Sequence, residues 1–345
     1  ERFRPQGEAG AGHSACSCLQ GSTEVLPVIT LAVFLGSLAA GSLSLLLLWR
    51  TLSGERLARI NYRGAKVGTS AGLVFVPAFL MAYLPVIDFA SRRLGLDGLR
   101  LSTMYHSLRA GMNTMLVLVL GFCLLGFLDD AAGDPSAKGF KGHFSEALRG
   151  RFTTGLAKAA MGFVVAMAAL QGEMFTADRT APKDYGTWLM SAAVIALTAN
   201  FFNLLDLRPG RAMKVFFPAL ALCAGLTLRY EGVGVYVMGA RSPMYGYVTP
   251  ALSVAAVALV LLPGDLREKY MLGDAGSNVL GAVIGLGLVL GTGFWWRLGM
   301  LAAVAVLNVI SERFSFSRII ASNRVLAWID SLGRKVDSTP EDNNT

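Results

Sequence analysis

The sequence predicts an all-α polytopic integral membrane protein with about nine to ten transmembrane helices. Of its 345 residues, 54% are hydrophobic and only 16% are charged, whereas soluble proteins carry about 25% charged residues. The apolar residues also fall in runs of roughly 17–23 residues, which are long enough to cross a hydrocarbon core of about 30 Å. These observations favour one membrane domain over separate soluble domains.

Nine apolar runs contain almost no charge, and each predicts one transmembrane helix. In chain order they cover 27–49, 67–87, 110–128, 155–170, 187–203, 213–228, 245–263, 277–294 and 297–312. They define a transmembrane domain over 27–312, preceded by a segment over 1–26 that we expect to be a flexible outside tail. A cytoplasmic segment over 313–345 follows.

Lysine and arginine residues predict the orientation of these helices. With the N-terminus outside, the inside segments hold 19 of them, and outside segments of comparable length hold 9. Cytoplasmic loops are enriched in positive charge. In this orientation Trp295 and Trp296 lie near the outer interface and Trp49 near the inner one, as expected for aromatic belts.

The net charge of +8 does not predict nucleic-acid binding, because no basic stripe is interleaved with aromatic residues. The membrane orientation explains the basic excess better. Cys16 and Cys18 are a lone C-x-C pair, which makes neither a zinc site nor a disulfide framework. We assign no function to the N-terminal tail.

The C-terminal stretch SRIIASNRVLAWIDSLGRK is too charged to cross a membrane. Ile319, Asn323, Leu326 and Asp330 fall near one line of a helix. This pattern predicts a short amphipathic helix on the cytoplasmic surface. A frayed tail is the alternative.

Ionisable residues in the apolar runs collect near the cytoplasmic ends, and charge at membrane depth indicates function. GFLDD ends the third run with Asp129 and Asp130. Adjacent carboxylates repel each other unless a cation neutralises them, and Mg²⁺ is bound by one or two carboxylates plus substrate phosphates. Alternatively, both acids face water at a helix end. Lys158, in TTGLAK, either reaches a phosphate or extends its ammonium group to the membrane surface.

A polar stripe ends the fifth run in ANFFNLLDLRPGRA. Asn200, Asn203 and Asp206 share one helical face, and Arg208 and Arg211 follow on a turn where they suit phosphate oxygens. The stripe either forms part of a site or makes hydrogen bonds between helices.

A fourth group, in KYMLGDAGSNVLG, precedes the eighth run. Asp274 lies there beside Gly276 and Ser277, whose backbone N–H groups can face an anion at a helix N-terminus. Asp274 is otherwise a simple N-cap. All four groups fall on the cytoplasmic side, which indicates a single site.

At these residues the chain resembles the polyprenyl-phosphate N-acetylhexosamine-1-phosphate transferase family, glycosyltransferase family 4. Its members include the phospho-MurNAc-pentapeptide translocase and enzymes that start O-antigen and teichoic acid synthesis. The resemblance runs from about Asn61 to the C-terminal region. It rests on GFLDD, TTGLAK, NFFNLLD and MLGDAGSNVLG, in family order and at family-like separations.

The resemblance implies transfer of a sugar-1-phosphate from a nucleotide-sugar, expected to be UDP-linked, to a membrane polyprenyl phosphate such as undecaprenyl phosphate. It implies Mg²⁺, with Mn²⁺ as a substitute, and a role in cell-envelope synthesis at the bacterial inner membrane, with a homodimer as a family-level expectation. Asp129, Asp130 and Asp274 are expected to be catalytic, and Asp274, Asp130 and Asp206 to bind the metal. The expected substrate-binding residues are Lys158, Asn200, Asn203, Asp206, Arg208, Arg211, Gly276, Ser277 and Lys66.

Three departures from the family pattern predict a divergent member. Pro209 stands where the translocase motif has an aspartate that contacts the nucleobase. Many members of the family carry a His-x-His segment in a late cytoplasmic loop. This chain has no such segment, since its three histidines are His13, His106 and His143. Members of the family usually have ten or eleven transmembrane helices, whereas nine apolar runs are counted here. A non-catalytic polyprenyl-phosphate-binding scaffold or regulator is the alternative, and a transporter is disfavoured by the scarcity of polar residues at mid-membrane depth.

Overall fold

The computed structural model describes residues 11–54, 57–94, 99–132, 154–171, 185–229, 244–314 and 316–334. Within these ranges the protein is an all-α polytopic membrane protein with eleven α-helices and one short hairpin. The helices are α1 (Ala11–Leu52), α2 (Phe75–Leu94), α3 (Leu99–Ala132), α4 (Thr154–Leu170), α5 (Tyr185–Leu205), α6 (Arg211–Arg229), α7 (Thr249–Leu266), α8 (Gly273–Leu290), α9 (Phe294–Arg313), α10 (Phe316–Ser322) and α11 (Arg324–Ser331).

Eight helical segments of the described chain are long and apolar enough to cross a membrane. They correspond to eight of the nine predicted runs. The fourth run forms α4, whose apolar part, Lys158–Leu170, is shorter than the others. At the N-terminal end α1 begins at Ala11, inside the segment predicted to be a tail.

The second membrane span begins four residues after the predicted start at residue 67. Strand β1 (Ala58–Ile60) pairs with β2 (Lys66–Gly68) in an antiparallel hairpin, and the apolar span begins only at Ala71. Long-range backbone contacts stabilise the hairpin, because the Met271 N–H donates to the Gly68 carbonyl at 2.7 Å. The sequence contains no signal that predicts this contact between Gly68 and Met271.

The prediction of one C-terminal helix was wrong, because two short helices form there. Asn323 has extended backbone angles and ends the helical path between α10 and α11. Its side-chain oxygen accepts hydrogen bonds from the Val325 and Leu326 N–H groups, at 3.0 and 3.1 Å. Asn323 is therefore the N-cap of α11, and two short helices replace one.

Helix α8 lies at the centre of the bundle. Nearly all its residues are buried, and it packs against α3, α5 and α6. Helices α1 and α9 instead expose apolar side chains such as Leu46 and Val306, as expected for helices that face lipid. This packing places the N-terminus of α8 beside the C-terminal ends of α3 and α5.

Candidate functional site

Four elements bring polar side chains together at one end of the bundle. Helices α3 and α5 end there, and α4 and α8 begin there. The charged cluster consists of Asp129 and Asp130 from α3, Lys158 from α4, Asn203 from α5 and Asp274 from α8. These residues come from all four groups that the sequence predicted to share one site.

Lys158 is the centre of the charged cluster. Its ammonium nitrogen lies 2.7 Å from Asp129 Oδ2 and 2.5 Å from Asp274 Oδ2. Asn203 Nδ2 donates to the same Asp274 oxygen at 2.9 Å. The side chain of Asp129 is 42% exposed, whereas those of Asp274 and Lys158 are 24% and 18% exposed. A ligand therefore reaches the cluster most directly from the Asp129 side.

Asp130 turns away from its neighbour and caps α8. Its carboxylate accepts hydrogen bonds from the Asp274 N–H at 3.2 Å, the Ala275 N–H at 3.3 Å and the Ser70 hydroxyl at 2.8 Å. A carboxylate at a helix N-terminus satisfies unpaired N–H groups and is favoured by the helix dipole. The cap thus comes from α3, and the Asp274 side chain itself is directed to Lys158 and Asn203.

A glycine makes this close approach of α3 and α8 possible. A Cβ atom on Gly126 would lie 2.1 Å from the backbone oxygen of Asp274. No larger residue fits without moving one of the two backbones. Gly126 therefore allows Asp129 and Asp130, one turn later, to reach the first turn of α8.

The polar stripe on α5 serves two different places. Asn203 joins the charged cluster, whereas Asn200 donates to Asn308 Oδ1 on α9 at 2.6 Å. Asn308 in turn donates to the Leu197 and Val304 carbonyls. Asn200 thus makes the interhelical hydrogen bond that was the alternative interpretation of the stripe.

Asp206 adjoins the charged cluster from the turn after α5. Burial, followed by the charges of Asp265, Asp274 and Asp130, raises the pKa of Asp206 well above its ordinary value. A hydrogen bond from the Gly273 N–H opposes this effect but does not cancel it. A cation placed close to Asp206 would favour its charged form.

The remaining predicted site residues lie outside the charged cluster. Arg208 stacks over the Tyr62 ring, with its guanidinium carbon 4.2 Å from the ring centroid. Arg211 is buried in a bidentate ion pair with Asp330. Lys66 is exposed on β2.

The predicted anion-binding residues of α8 are buried against a neighbouring segment. A Cβ atom on Gly72 would lie 2.0 Å from the Gly276 backbone nitrogen. Ser277 is fully buried, and its hydroxyl has no hydrogen-bond partner within the described residues. Neither residue faces the charged cluster as the sequence suggested.

Three contributors were missed by the sequence analysis. Ser70 binds Asp130, and Arg59 donates to the Asp130 carbonyl oxygen. Asp265 accepts from the Gly210 N–H at 2.6 Å and the Leu272 N–H at 2.9 Å, which ties the turn after α5 to the turn before α8. For Asp265 the sequence did offer a signal, because this acid ends LLPGD, directly after an apolar run.

A cavity of about 20 Å³ lies beside the charged cluster, between the hairpin and the two turns. Its volume suits about one water molecule. It is lined by Asn61, Tyr62, Asp206, Leu207, Arg208, Pro209, Asp265, Glu268 and Met271.

The donor chemistry of the charged cluster suits Mg²⁺. No group of three or more His, Cys, Asp or Glu side chains within the described ranges converges to hold a metal ion. However, Mg²⁺ needs only one or two carboxylates when substrate phosphates complete its shell. Asp129 and Asp274 supply oxygen atoms, and the Lys158 ammonium already marks a cation position between them.

Fold and site together define a multi-pass, all-α membrane protein with a charged cluster at one end of its helix bundle. No family model matches the chain, and no curated protein matches it either.

Proposed function

We propose that this protein is a Mg²⁺-dependent transferase that moves a sugar-1-phosphate from a nucleotide-sugar to a polyprenyl phosphate. The products are a sugar-diphospho-polyprenyl lipid and a nucleoside monophosphate. We further propose a UDP-linked donor, a bacterial inner-membrane location with the site facing the cytoplasm and the N-terminus outside, and a role in cell-envelope synthesis. The four sequence motifs, in family order, support this proposal.

The observation that carries the proposal is the bridge from Lys158 to Asp129 and Asp274, with Asn203 on the same Asp274 oxygen. Charges of both signs meet at a helix-bundle end, where a lipid phosphate at the membrane surface can reach them. Phosphoryl transfer depends mainly on positioning and on neutralising charge. A lipid phosphate and a pyrophosphate share such a site only when cations offset their repulsion.

In the proposed reaction, an oxygen of the lipid phosphate attacks the phosphorus that carries the sugar. A new phosphorus–oxygen bond forms, and the bond to the nucleoside phosphate breaks, so the nucleoside monophosphate leaves with the bonding electrons. Bound Mg²⁺ would neutralise the pyrophosphate oxygens. Asp274 and Asp129 would hold it, and Asp206 would add negative charge beside them.

The chain's own side chains supply the remaining positioning. Lys158 is placed to turn its ammonium toward a phosphate oxygen when the carboxylates bind a metal. Asp129, the most exposed acid of the charged cluster, would orient the incoming lipid phosphate or accept its proton. Asp130 keeps the first turn of α8 in place through the Asp274 and Ala275 N–H groups.

The direct test uses purified protein with undecaprenyl phosphate, Mg²⁺ and a panel of UDP-sugars, and measures UMP release. We expect release that requires the lipid, the metal and one sugar. If no UDP-sugar gives UMP release, the proposed UDP donor is wrong. If other nucleotide-sugars then also give no nucleoside monophosphate, the proposed transferase activity is wrong. Retained polyprenyl-phosphate binding without any release would favour a non-catalytic scaffold or regulator.

A further inference from the structure

The two C-terminal helices, α10 and α11, are attached to the rest of the protein mainly by polar contacts, and most of their large apolar side chains are exposed. None of the residues in either helix is buried. A helix that lies on a protein in water has the opposite arrangement, with apolar residues inward and polar residues outward. The environment on the outer side of these helices is therefore not expected to be water.

The inward contacts centre on Asp330. Arg211 Nε and Nη2 donate to its two carboxylate oxygens at 2.8 and 2.9 Å. The side chains are only 5% and 13% exposed, respectively, and such paired hydrogen bonds fix orientation as well as distance. Lys214 donates to the Asp330 and Ile329 carbonyls at 2.7 and 3.2 Å. The C-terminal end of α11 is thereby held to the first turn of α6.

Helix α10 is attached at the same place. Arg211 Nη1 donates to the Ser317 hydroxyl at 3.0 Å. The Phe316 ring packs edge-on against Phe201 of α5, with centroids 5.8 Å apart. Because both helices are fixed, the direction of their outward face is fixed too.

The outward face combines apolar and basic side chains. Val325 and Trp328 are 65% and 63% exposed, and Arg318 and Arg324 are exposed beside them. The other exposed large apolar side chains of this region are Phe314, Ile319, Leu326, Ile329 and Leu332. Asp330 is the single acid in the sequence of the two helices, and it is directed inward.

We propose that the outward face of α10 and α11 binds the anionic lipid surface of the bilayer that the helix bundle spans. The apolar span of α9 ends at Ser311, so α10 begins where the chain leaves the hydrocarbon region. Tryptophan favours this interfacial depth, and exposed arginine residues are attracted to anionic headgroups. Neutral polar partners would leave both the basic charge and the apolar area unmatched.

Lipid binding here would also fix one border of the charged cluster. Arg334 Nε donates to the Pro209 carbonyl at 3.4 Å and also pairs with Asp330. Pro209 belongs to the turn that carries Asp206. If α10 and α11 are held on the bilayer, the turn that contains Pro209 and Asp206 is held in place as well. The lipid contact itself does not depend on the proposed transferase activity.

The test measures contact between Trp328 and lipid in the full-length protein, reconstituted in nanodiscs. Lipids brominated in the acyl chains near the headgroups quench tryptophan on contact. The Trp328 signal is the difference between wild type and Trp328→Phe, because the chain has five tryptophans. We expect most of this signal to be lost in the brominated discs. A Trp328 signal that brominated lipid does not quench would overturn the proposal.

The charge requirement is tested with phosphatidylcholine discs with and without phosphatidylglycerol. Hydrogen exchange of residues 316–331 should be slower when phosphatidylglycerol is present. The double variant Arg318→Gln/Arg324→Gln should lose this difference while it keeps the wild-type elution and unfolding temperature. Equal exchange in both lipids would overturn the anionic preference, and protection only in discs with two protein copies would instead assign the face to a second copy of this chain.

Discussion

Lys158 neutralises two carboxylates that approach each other from different helices. Its ammonium lies within hydrogen-bond distance of both Asp129 and Asp274. Without a cation at this point, the two acids would face each other across a partly desolvated gap, where their repulsion is stronger than in water. The cluster is therefore organised around positive charge, whether a lysine or a metal supplies it.

Replacing Asp274 by asparagine removes one of the charges that holds this cation. We expect Asp274→Asn to slow UMP release by about 100-fold or more, in line with the loss of one electrostatic partner in other enzymes. Asp88→Asn is the matched control, since Asp88 is an exposed acid on α2 paired with Arg92 at 3.1 Å. A folded Asp274→Asn protein with the wild-type rate would rule out the metal assignment.

Replacing Lys158 by methionine separates metal binding from turnover. The ammonium and a divalent metal compete for the same Asp129 and Asp274 oxygens, so Lys158→Met should bind Mn²⁺ about tenfold more tightly, a change of about 1.4 kcal/mol. It should also lose transfer activity. Electron paramagnetic resonance of the purified protein without substrates measures the Mn²⁺ affinity, and Lys269→Met, at an exposed lysine, is the control. Weaker Mn²⁺ binding would contradict the competition.

The residues that come together were predictable where their position at a helix end was readable from hydropathy. Asp129, Lys158, Asn203 and Asp274 each lie at the boundary of an apolar run, and an antiparallel chain path brings such boundaries to one end. Their partners were not predictable in the same way. Ser70 acts through a turn held by long-range contacts, and Arg211 meets an acid 119 positions away in the chain.

At the scale of elements, the close crossing of α3 and α8 sets the geometry of the charged cluster. Gly126→Ala places a methyl group on the Asp274 backbone, and overpacking of this kind costs about 1–3 kcal/mol. We expect a lower unfolding temperature in detergent and a lower rate of transfer. Gly36→Ala in α1 is the control, because no atom lies within 4 Å of its added Cβ, and alanine is favoured in a helix by about 0.5–1 kcal/mol. Equal effects of both substitutions would contradict the conclusion that the close crossing of α3 and α8 requires glycine at position 126.

The attachment of α11 should depend on pH in one direction. Burial alone would raise the pKa of Asp330, but the hydrogen bonds and charges of Arg211 and Arg334 lower it to about 2. The unfolded value is about 3.9, so this stabilisation is complete above about pH 4 and is lost as the pH falls toward 2. Asp330→Asn should remove it at neutral pH and speed hydrogen exchange over 316–331. Unchanged exchange in that variant would show that the ion pairs of Asp330 do not hold α11 in place.

Element boundaries were less predictable than the elements themselves. Hydropathy located the spans, but it extended the second span to the residues around Val67. Pairing with β1 and the hydrogen bond from the Met271 N–H to the Gly68 carbonyl instead hold these residues in a hairpin. Asn323 is compatible with a helix by periodicity, yet its side chain satisfies two N–H groups better as a cap. Local side-chain hydrogen bonds decided the outcome in this case.

At the scale of the whole molecule, the two ends of the bundle have different chemistry. The charged cluster, the hairpin and the docked C-terminal helices lie at one end, because Arg59 contacts Asp130 and Arg211 contacts Asp330. Helix α8 leads from Asp274 to the opposite end, where a short turn precedes the exposed Trp295 and Trp296. The excess of lysine and arginine at the cluster end predicts that this end faces the cytoplasm.

Labelling with a membrane-impermeant maleimide in intact bacteria tests this orientation. Ile60 on the hairpin and Trp296 at the start of α9 are 76% and 71% exposed, so a cysteine at either position is accessible from its own side. Cys16 and Cys18 are replaced by serine, and Cys123 and Cys223 are buried. We expect Trp296→Cys to react in intact cells and Ile60→Cys only after permeabilisation. The reverse pattern would place the charged cluster outside, where cytoplasmic nucleotide-sugars do not reach it, and would contradict the proposed transfer reaction together with the orientation.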